Sequence, residues 1–347
     1  MRRVSSIAVA GIGIAALAFT TTACGGSSSS DSKKKDKGVA IAYDVGGRGD
    51  QSFNDAAYAG FVKAKKELGV EGDDIEPSEG ESDADKVQRL TELAREGHNP
   101  VIAVGFVYAP AVKEVAKKFP KVTFGLVDDD TVHAKNVVNM VFNEEQASYL
   151  AGVAAALTTK TKTVGFVGGV ENPLIKKFEA GYVQGVQETD KSVKVKVQYL
   201  TQPPDYSGFK KPDAGKDTAN GELDGGADVI YQAAGDSGSG VIEAAATRGK
   251  WAIGVDSDQY TQKGLAKYKD KILASATKGV ADAVFNLVKS VKDGKPESGT
   301  VRYGLKTGGV GLADSNPAYQ KMTKVVEAVE AAKKKIISGE IKVKTTP

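Results

Sequence analysis

The stretch DVIYQAAGDSGSGVIEAAATRGKWAIGVD, residues 228–256, decides the fold that we predict for this chain. It opens with a short apolar run at 228–232 and passes through a glycine-rich turn into a segment of helical period at 239–248. A second apolar run follows at 251–255. A strand, a helix and another strand in this order form one unit of a parallel sheet. The sequence therefore predicts an α/β protein.

The same alternation of apolar runs and helical segments continues in both directions from residue 39 onward. Further strands are predicted at 39–43, 101–104, 122–127, 163–167, 193–200 and 272–275. Further helices are predicted at 57–68, 83–96, 144–157, 173–187, 213–224, 278–291 and 317–337. A sheet covered by helices on both faces places its ligand-binding loops at the carboxyl ends of its strands.

These units fall into two similar sets, which predict two lobes. We expect the first lobe to comprise residues 38–143 and a return segment at about 273–299. The second lobe is expected to comprise residues 144–272 and about 300–340. Repeated crossing between two α/β lobes makes a hinge, and a hinge allows the cleft between the lobes to close on a ligand.

The first 37 residues have a different character. A positively charged start is followed by the apolar run 7–19 and small residues up to Cys24. The run is shorter than the roughly 20 residues that span a bilayer, so residues 1–23 are predicted to be an export signal. Residues 24–37 are rich in serine and lysine, with little to bury, and are predicted to form a solvated tether.

This order resembles a bacterial lipoprotein precursor, in which the cysteine is lipidated and becomes the first mature residue. The resemblance implies that Cys24 anchors the protein to the cell membrane on its extracytoplasmic side. Thr21 stands where such a precursor usually carries an aliphatic residue. The alternative is a secreted protein with one free thiol.

Composition excludes several classes of function. Hydrophobic residues make up 41% of the chain and charged residues 26%, which are globular values, and the net charge of +3 is too small to indicate nucleic-acid binding. With a single cysteine the chain forms no internal disulfide. His98 and His133 lie too far apart for a ligand pair in any familiar metal motif, so no metal is expected.

Three strand ends run into glycine-rich turns that open helices, at 43–54, 167–173 and 232–240. Such turns let backbone amides approach a ligand. None carries a GxGxxG or a Walker sequence in its proper place, so no nucleotide cofactor is expected. The run GDSG at 235–238 occurs in serine proteases of an all-β, disulfide-bonded fold, whereas here Ser237 is predicted to cap a helix.

Three segments carry a family resemblance: 42–60 (AYDVGGRGDQSFNDAAYAG), 164–186 (VGFVGGVENPLIKKFEAGYVQGV) and 226–259. They resemble the basic membrane protein family of bacterial lipoproteins, the purine nucleoside receptors of ABC importers. The likeness extends from residue 39 to about 312. It implies a type I periplasmic-binding-protein fold, in which two Rossmann-like lobes joined by hinge strands hold a nucleoside. A monomer that partners a membrane permease is expected.

A nucleoside site needs rings that stack on the base, a polar pair for the base edge, and groups that hold the sugar. By resemblance, Phe53 is the stacking ring; its alternative role is a hydrophobic contact at the start of a helix. Tyr231 is the candidate for the opposing ring, with Phe178 as the second choice. Stacking on an aromatic side chain contributes roughly 1–3 kcal/mol per base.

Polar candidates follow the strand ends. Asp44 and Asp128 each end a predicted strand and Asn54 follows Phe53, so these three side chains are expected to meet in one crevice, where they can pair with a purine edge. The alternative for Asn54 is helix capping. By resemblance, Asp256 and Lys278 hold the ribose. Gly235 is expected to let its turn approach the sugar.

Two other functions remain open at this point. A sugar or another small solute could occupy a receptor of the same fold, because sugars also stack on aromatic faces. An exported nucleoside hydrolase could use Asp44, Asp128 and Asp256 as acids or metal ligands, with DDD at 128–130 as its only metal-like motif. The insertion-like stretch 203–217 could line the entrance of the cleft or pack on one lobe.

Overall fold

The structure is a computed structural model that describes residues 37–347, all of which belong to one compact unit. The strands are β1 (Val39–Ala42), β2 (Gly72–Ile75), β3 (Val101–Ala103), β4 (Phe124–Val127), β5 (Val137–Phe142), β6 (Thr163–Val170), β7 (Lys194–Thr201), β8 (Val229–Ala233), β9 (Trp251–Asp256), β10 (Ile272–Lys278), β11 (Gly299–Tyr303) and β12 (Val310–Ala313). The predicted signal peptide, the tether up to residue 36 and Cys24 lie outside the described residues.

Helices alternate with these strands along the chain. They are α1 (Phe53–Leu68), α2 (Asp83–Glu96), α3 (Ala109–Lys118), α4 (Glu144–Thr158), α5 (Pro173–Thr189), α6 (Pro212–Asp224), α7 (Ser237–Thr247), α8 (Val280–Lys292), α9 (Pro317–Gln320) and α10 (Thr323–Ser338). Within residues 37–347, no helix combines the length and the apolar character that crossing a bilayer requires.

The strands form two sheets with the same internal order. The first sheet runs β11-β5-β4-β3-β1-β2 and the second runs β12-β10-β9-β8-β6-β7. All pairings are parallel except that of β10 with β12. The predicted α/β class is therefore confirmed, and β4 in one lobe occupies the place that β9 occupies in the other.

Strand β1 shows why these sequences form covered parallel strands. All four of its residues are buried. Val39 and Ile41 join the core that includes α1, whereas Ala40 and Ala42 join a separate core that includes α2 and α3. Because side chains alternate between the two faces of a strand, a sheet covered on both faces needs a continuous apolar run.

The division into lobes differs from the prediction around residue 273. Strand β10 pairs with β9 in the second sheet, so the chain returns to the first lobe only after residue 278, where α8 packs against α1. Strand β11 then pairs with β5 in the first sheet, and β12 pairs with β10 in the second. The chain thus crosses between the lobes after β5, after β10 and after β11. Sequence spacing alone could not show which sheet β10 joins.

Several elements were not predicted: β2, β5, α3, β11 and β12. The predicted helix 317–337 is two helices, α9 and α10. The predicted helix 83–96 coincides with α2, which begins at a capping box formed by Ser82 and Asp85 and ends at Gly97 in the left-handed conformation.

Candidate functional site

A cavity of about 530 Å³, including its mouth, lies between the two lobes. The first lobe lines it with Asp44, Val45, Asp50, Phe53, Asn54, Phe106 and Asp128, and the second lobe with Leu174, Ile175, Phe178, Phe209, Ala233, Gly235, Val255, Asp256 and Lys278. Every predicted ligand-binding residue except Tyr231 is in this set.

Two aspartates occupy corresponding places in the two lobes. Asp128 directly follows β4, and Asp256 is the last residue of β9. Both have left-handed backbone conformations, with φ of 67° and 60°. Positive φ is uncommon for residues other than glycine, and strained residues of this kind concentrate at ligand sites. Both residues line the cavity.

Lys278 is the charged centre of the cavity. Its Nζ lies 2.6 Å from Asp128 Oδ2 and 3.4 Å from Glu144 Oε1. Burial opposes the charged form of Lys278, but the carboxylates of Asp128, Glu144 and Asp256 outweigh it and raise the pKa of the amine. The lysine is therefore a cation. Glu144, the first residue of α4, was not predicted from the sequence.

Aromatic rings surround the same amine. Lys278 Nζ lies 5.0 Å from the centroid of the Phe53 ring, 5.4 Å from that of Phe178 and 5.3 Å from that of Phe142. These distances are within reach of cation–π attraction. Burial raises the pKa of Asp128, and Lys278 acts against this rise. Asp128 Oδ1 is buried and has no hydrogen-bond partner in the described chain, whereas Oδ2 is occupied by Lys278.

Asp50, which the sequence analysis missed, organises the turn before α1. Its Oδ2 accepts hydrogen bonds from the backbone N–H and the side-chain amide of Asn54, and its Oδ1 from the N–H groups of Ser52 and Asp55. Asn54 Oδ1 accepts in turn from the N–H of Asp44. Asn54 therefore does not cap α1 but joins that helix to the end of β1.

The carboxyl groups of Asp44 and Asp50, which lie on either side of this turn, are strongly desolvated. Burial raises the pKa of Asp44 to about 7, although a hydrogen bond from the N–H of Val45 acts against the rise. Burial likewise raises the pKa of Asp50 to about 7, against the hydrogen bonds from Asn54, Ser52 and Asp55. At neutral pH each of these carboxyl groups is protonated part of the time, so each can donate as well as accept a hydrogen bond.

Tyr231 does not face the cavity. It is fully buried, with its hydroxyl 3.0 Å from Ser148 Oγ and its ring packed against Phe166 and Tyr182 in the core of the second lobe. Tyr231 lies within β8, where side chains point to the helix layers. The strand ends two residues later, and there Ala233 lines the cavity. Phe178, the second choice from the sequence, lines it as well.

The segment 203–217 contributes a ring that the sequence analysis did not assign. Phe209 lines the cavity. A Cβ at Gly169 would lie 2.5 Å from the Phe209 ring, so this close approach requires a glycine at the end of β6. Tyr206 of the same segment meets Phe106, a lining residue of the opposite lobe, edge to face, with centroids 5.7 Å apart. The segment thus contacts both lobes beside the cavity.

Gly235 and Ser237 hold this segment in place. Gly235 has a φ of 58°, in the left-handed region, and a Cβ there would lie 3.1 Å from Phe209 O. Ser237 does not cap its helix as predicted. Its hydroxyl instead donates to Gly208 O and accepts from Lys211 N–H, each at 2.7 Å. The hydroxyl of Ser237 is free for these two bonds because it does not accept a hydrogen bond from an N–H of its own helix.

The three aspartates of the DDD run diverge. Asp128 pairs with Lys278, Asp129 accepts from Thr131, and Asp130 pairs with Arg302. Among residues 37–347, no group of three or more histidine, cysteine, aspartate or glutamate side chains could hold a metal ion.

Comparisons with known proteins agree with this architecture. Residues 37–346 match the family model for PnrA-like ABC transporter substrate-binding proteins (Bmp). The ABC transporter nucleoside-binding protein BmpA of Lactococcus lactis is 35% identical over 89% of this chain and 89% of its own length. An uncharacterized lipoprotein of Pyrococcus abyssi is 37% identical over 81% of this chain and 70% of its own length.

A solved structure shares the whole fold. The crystal structure of an ABC transporter solute-binding protein from Aeropyrum pernix superposes with a TM-score of 0.75 and 30% sequence identity. The match covers 89% of this chain and 93% of that one. The two covered sheets, the cleft between them and the family match over residues 37–346 lead to one conclusion. The chain belongs to the family of PnrA-like ABC transporter substrate-binding proteins.

Proposed function

We propose that this substrate-binding protein captures a nucleoside, in particular a purine nucleoside, in the cleft between its lobes and delivers it to the permease of an ABC importer. The observation that carries the proposal is the composition of the cavity around Lys278. Flat apolar rings lie beside a fixed cation and a buried carboxylate oxygen of Asp128 that lacks a partner. A nucleoside has matching parts, because its base is flat and aromatic and its sugar carries hydroxyl donors.

The rings would hold the base. Phe53 belongs to the first lobe, whereas Phe178 and Phe209 belong to the second, and all three line the cavity. A base bound among them would therefore touch both lobes. Asp44 and Asn54 lie on the same wall as Phe53 and would pair with the edge of the base. The name of the relative from Lactococcus lactis supports a nucleoside ligand.

The charged groups would hold the ribose. Asp256 and Asp128 would accept from sugar hydroxyls, and Lys278 would donate to them. Hydrogen bonds to charged groups contribute roughly 1.5–3 kcal/mol each. Gly235 leaves room for the sugar beside its turn. Phosphorylated ligands would be disfavoured, because none of the described residues lining the cavity is an arginine and four of them are aspartates.

The same contacts favour binding without chemistry. Asp128, one of the three acids that a hydrolase would need, is tied to Lys278. A sugar receptor is the second candidate. This candidate has less support, because the three rings of Phe53, Phe178 and Phe209 are more than stacking on one face of a sugar requires.

Isothermal titration calorimetry of the soluble chain from Gly25 onward tests the proposal. Adenosine, guanosine, inosine, uridine, ribose and AMP are titrated separately, and each mixture is then analysed by chromatography. We expect heat with at least one purine nucleoside, none with AMP at the same concentration, and no product. Binding of ribose alone would favour the sugar receptor, and release of a free base would favour the hydrolase.

Asp256→Asn separates the sugar contact from the base contact. If Asp256 holds the ribose, the substitution weakens the binding of guanosine far more than that of guanine. Equal weakening of both ligands would remove Asp256 from the sugar site.

The protein is further proposed to act as a monomer held at the membrane by a lipid on Cys24. The leader and tether of the sequence support this anchor, and the relative from Pyrococcus abyssi is named a lipoprotein. A tether of this composition lets the lobes reach a neighbouring permease.

A further inference from the structure

Ser52 occupies the position immediately before α1, where a serine side chain usually caps the helix. Its hydroxyl makes no capping bond here. Asp50 takes over that role by accepting hydrogen bonds from the N–H groups of Ser52, Asn54 and Asp55. The hydroxyl of Ser52 is therefore available for another partner.

That partner lies in the opposite lobe. Ser52 Oγ donates to Asp256 Oδ2 at 2.6 Å, and both residues are buried. Ser257 Oγ donates back to Ser52 O at 3.0 Å. The hydroxyl and the carbonyl oxygen of one serine thus each bond to the end of β9, across the cleft.

Gln51 extends this contact. Its carbonyl oxygen accepts from Gln259 Nε2 at 3.1 Å, and its side-chain oxygen accepts from the N–H of Gly264 at 3.0 Å. A Cβ at Gly264 would lie 2.7 Å from the side chain of Gln51, so the fit is close. Gln51 itself has a φ of 54°, a strained conformation that is uncommon for residues other than glycine.

The two aspartates at corresponding strand ends are used reciprocally. Asp128 of the first lobe accepts from Lys278 of the second, and Asp256 of the second lobe accepts from Ser52 of the first. Each of these bonds breaks when the lobes separate. Oδ2 of Asp256 is committed to Ser52, which leaves Oδ1 for a ligand.

We propose that Ser52 is a positioning residue that couples ligand binding to lobe closure, by fixing the Asp256 carboxylate across the cleft. This inference rests on the proposed function, because it assigns Asp256 to the ligand. Opening the lobes removes the partner of Asp256 Oδ2, so the bound state is stabilised by a contact that the ligand does not make. Ser52 then controls mainly how slowly the ligand leaves.

Ser52→Ala tests the inference in the soluble chain from Gly25 onward. Affinity for guanosine, or for whichever purine nucleoside gives heat with the wild type, is measured by calorimetry, and dissociation is measured by stopped flow. Losing a hydrogen bond to a buried carboxylate predicts an affinity weaker by about tenfold to a hundredfold. The loss is expected mainly in the dissociation rate. Unchanged affinity and dissociation rate would overturn the inference.

Two further variants separate positioning from general damage. Ser52→Thr keeps the hydroxyl and is expected to bind more tightly than Ser52→Ala. Ser148→Ala removes a buried hydroxyl that bonds to Tyr231 within the second lobe alone and is expected to leave the dissociation rate unchanged. Equal losses in Ser52→Ala and Ser148→Ala would assign the effect to packing and contradict the inference.

Small-angle scattering distinguishes failure of this inference from failure of the proposed function. If the wild type binds none of the nucleosides, the proposed function fails. The effect of Ser52 on lobe closure is then judged from the ligand-free proteins. Ser52→Ala is expected to have a larger radius of gyration than the wild type. Equal radii in that case would overturn the inference as well. The circular dichroism of each variant establishes that it is folded.

Discussion

Lys278 brings the charges of both lobes together. It is buried and lies within 3.4 Å of carboxylates from each lobe, Asp128 from the first and Glu144 from the second. Removing one partner of a buried ion pair costs much more than the pair contributes, because the remaining charge stays desolvated. The residue thus serves the folded state as well as the proposed ligand.

Lys278→Met is expected to lower the free energy of unfolding by about 3–5 kcal/mol. Urea unfolding without ligand measures this. Adding Asp128→Asn to the variant removes one unpaired charge and is expected to restore part of the loss. The matched control is Lys63→Met, whose exposed amine pairs with Asp282 on the surface and is expected to matter little. A stable Lys278→Met chain would show that the buried carboxylates are neutral.

Phe53 tests the proposed stacking contact. Phe53→Ala is expected to weaken purine nucleoside binding by about 1–3 kcal/mol, the contribution of one stacked base. Calorimetry at constant temperature measures the change. Tyr58→Ala is the control, because Tyr58 lies on the same helix but its ring packs against Arg48 instead of lining the cavity. Similar losses in both variants would assign the effect to α1 as a whole.

The sequence predicts that polar side chains follow the ends of strands, but it does not predict contacts between segments that are far apart in the chain. Asp44, Asn54 and Asp128 were expected in one crevice, because parallel strands end on the same side of a sheet. Phe209 and Glu144 were missed, since nothing local shows that their segments reach the cleft. Tyr231 was misjudged because it lies two residues before the end of β8, so its ring is buried in the core of the second lobe and does not reach the cleft.

Elements were predictable where their residues bury a continuous apolar face. Strand β1 is such a case, whereas β2 reads GDDI and offers only one apolar side chain. Strand β2 forms at the edge of its sheet because β1 supplies backbone partners, a contact that its own composition does not indicate. Helix α3 was missed although Pro110 stands in its first turn, where proline is favoured.

The packing of α6 on β6 predicts a dependence of stability on pH. Glu222 of α6 is 3% exposed, and a Cβ at Gly165 of β6 would lie 1.9 Å from its carboxylate. Burial raises the pKa of Glu222 to about 8, from 4.5. A raised carboxyl pKa means that the folded chain holds the proton more tightly. This contribution to stability is complete below about pH 4.5 and is lost as the pH rises through about 8.

Glu222→Gln keeps a neutral side chain at every pH. The unfolding temperature of the variant minus that of the wild type is therefore expected to increase between about pH 5 and about pH 8. The control is Glu243→Gln. A hydrogen bond from Lys216 lowers the pKa of Glu243, so its difference from the wild type is expected to be constant over that range. A constant difference for Glu222→Gln would show that its carboxyl is solvated.

The matching order of the two sheets explains why one cleft receives side chains from both lobes. Each lobe directs the carboxyl ends of its strands to the cleft, and β4 and β9 place their aspartates at corresponding points. Two lobes were predictable from the repeated strand–helix units. The position of the crossings was not, because β10 pairs with the strand before it and only then does the chain return to the first lobe.

The proposed lipid on Cys24 would hold the entire protein at the membrane. Cys24→Ser is expected to move the protein from the membrane fraction to the soluble extracytoplasmic fraction of a bacterial host. The variant is exported behind the leader of a secreted protein, which is cleaved without a cysteine. The shift is expected because the tether alone has almost no apolar surface. Fractionation and immunoblotting measure the distribution. If both proteins sediment with membranes equally, the lipid is not what holds the chain there.

The most direct measurement is a crystal structure of the soluble chain grown with inosine. We predict a base stacked among Phe53, Phe178 and Phe209, with the ribose hydroxyls within hydrogen-bond distance of Asp256 and Lys278. An empty cleft, or inosine bound only outside it, would contradict this account of how the two lobes recognise a ligand.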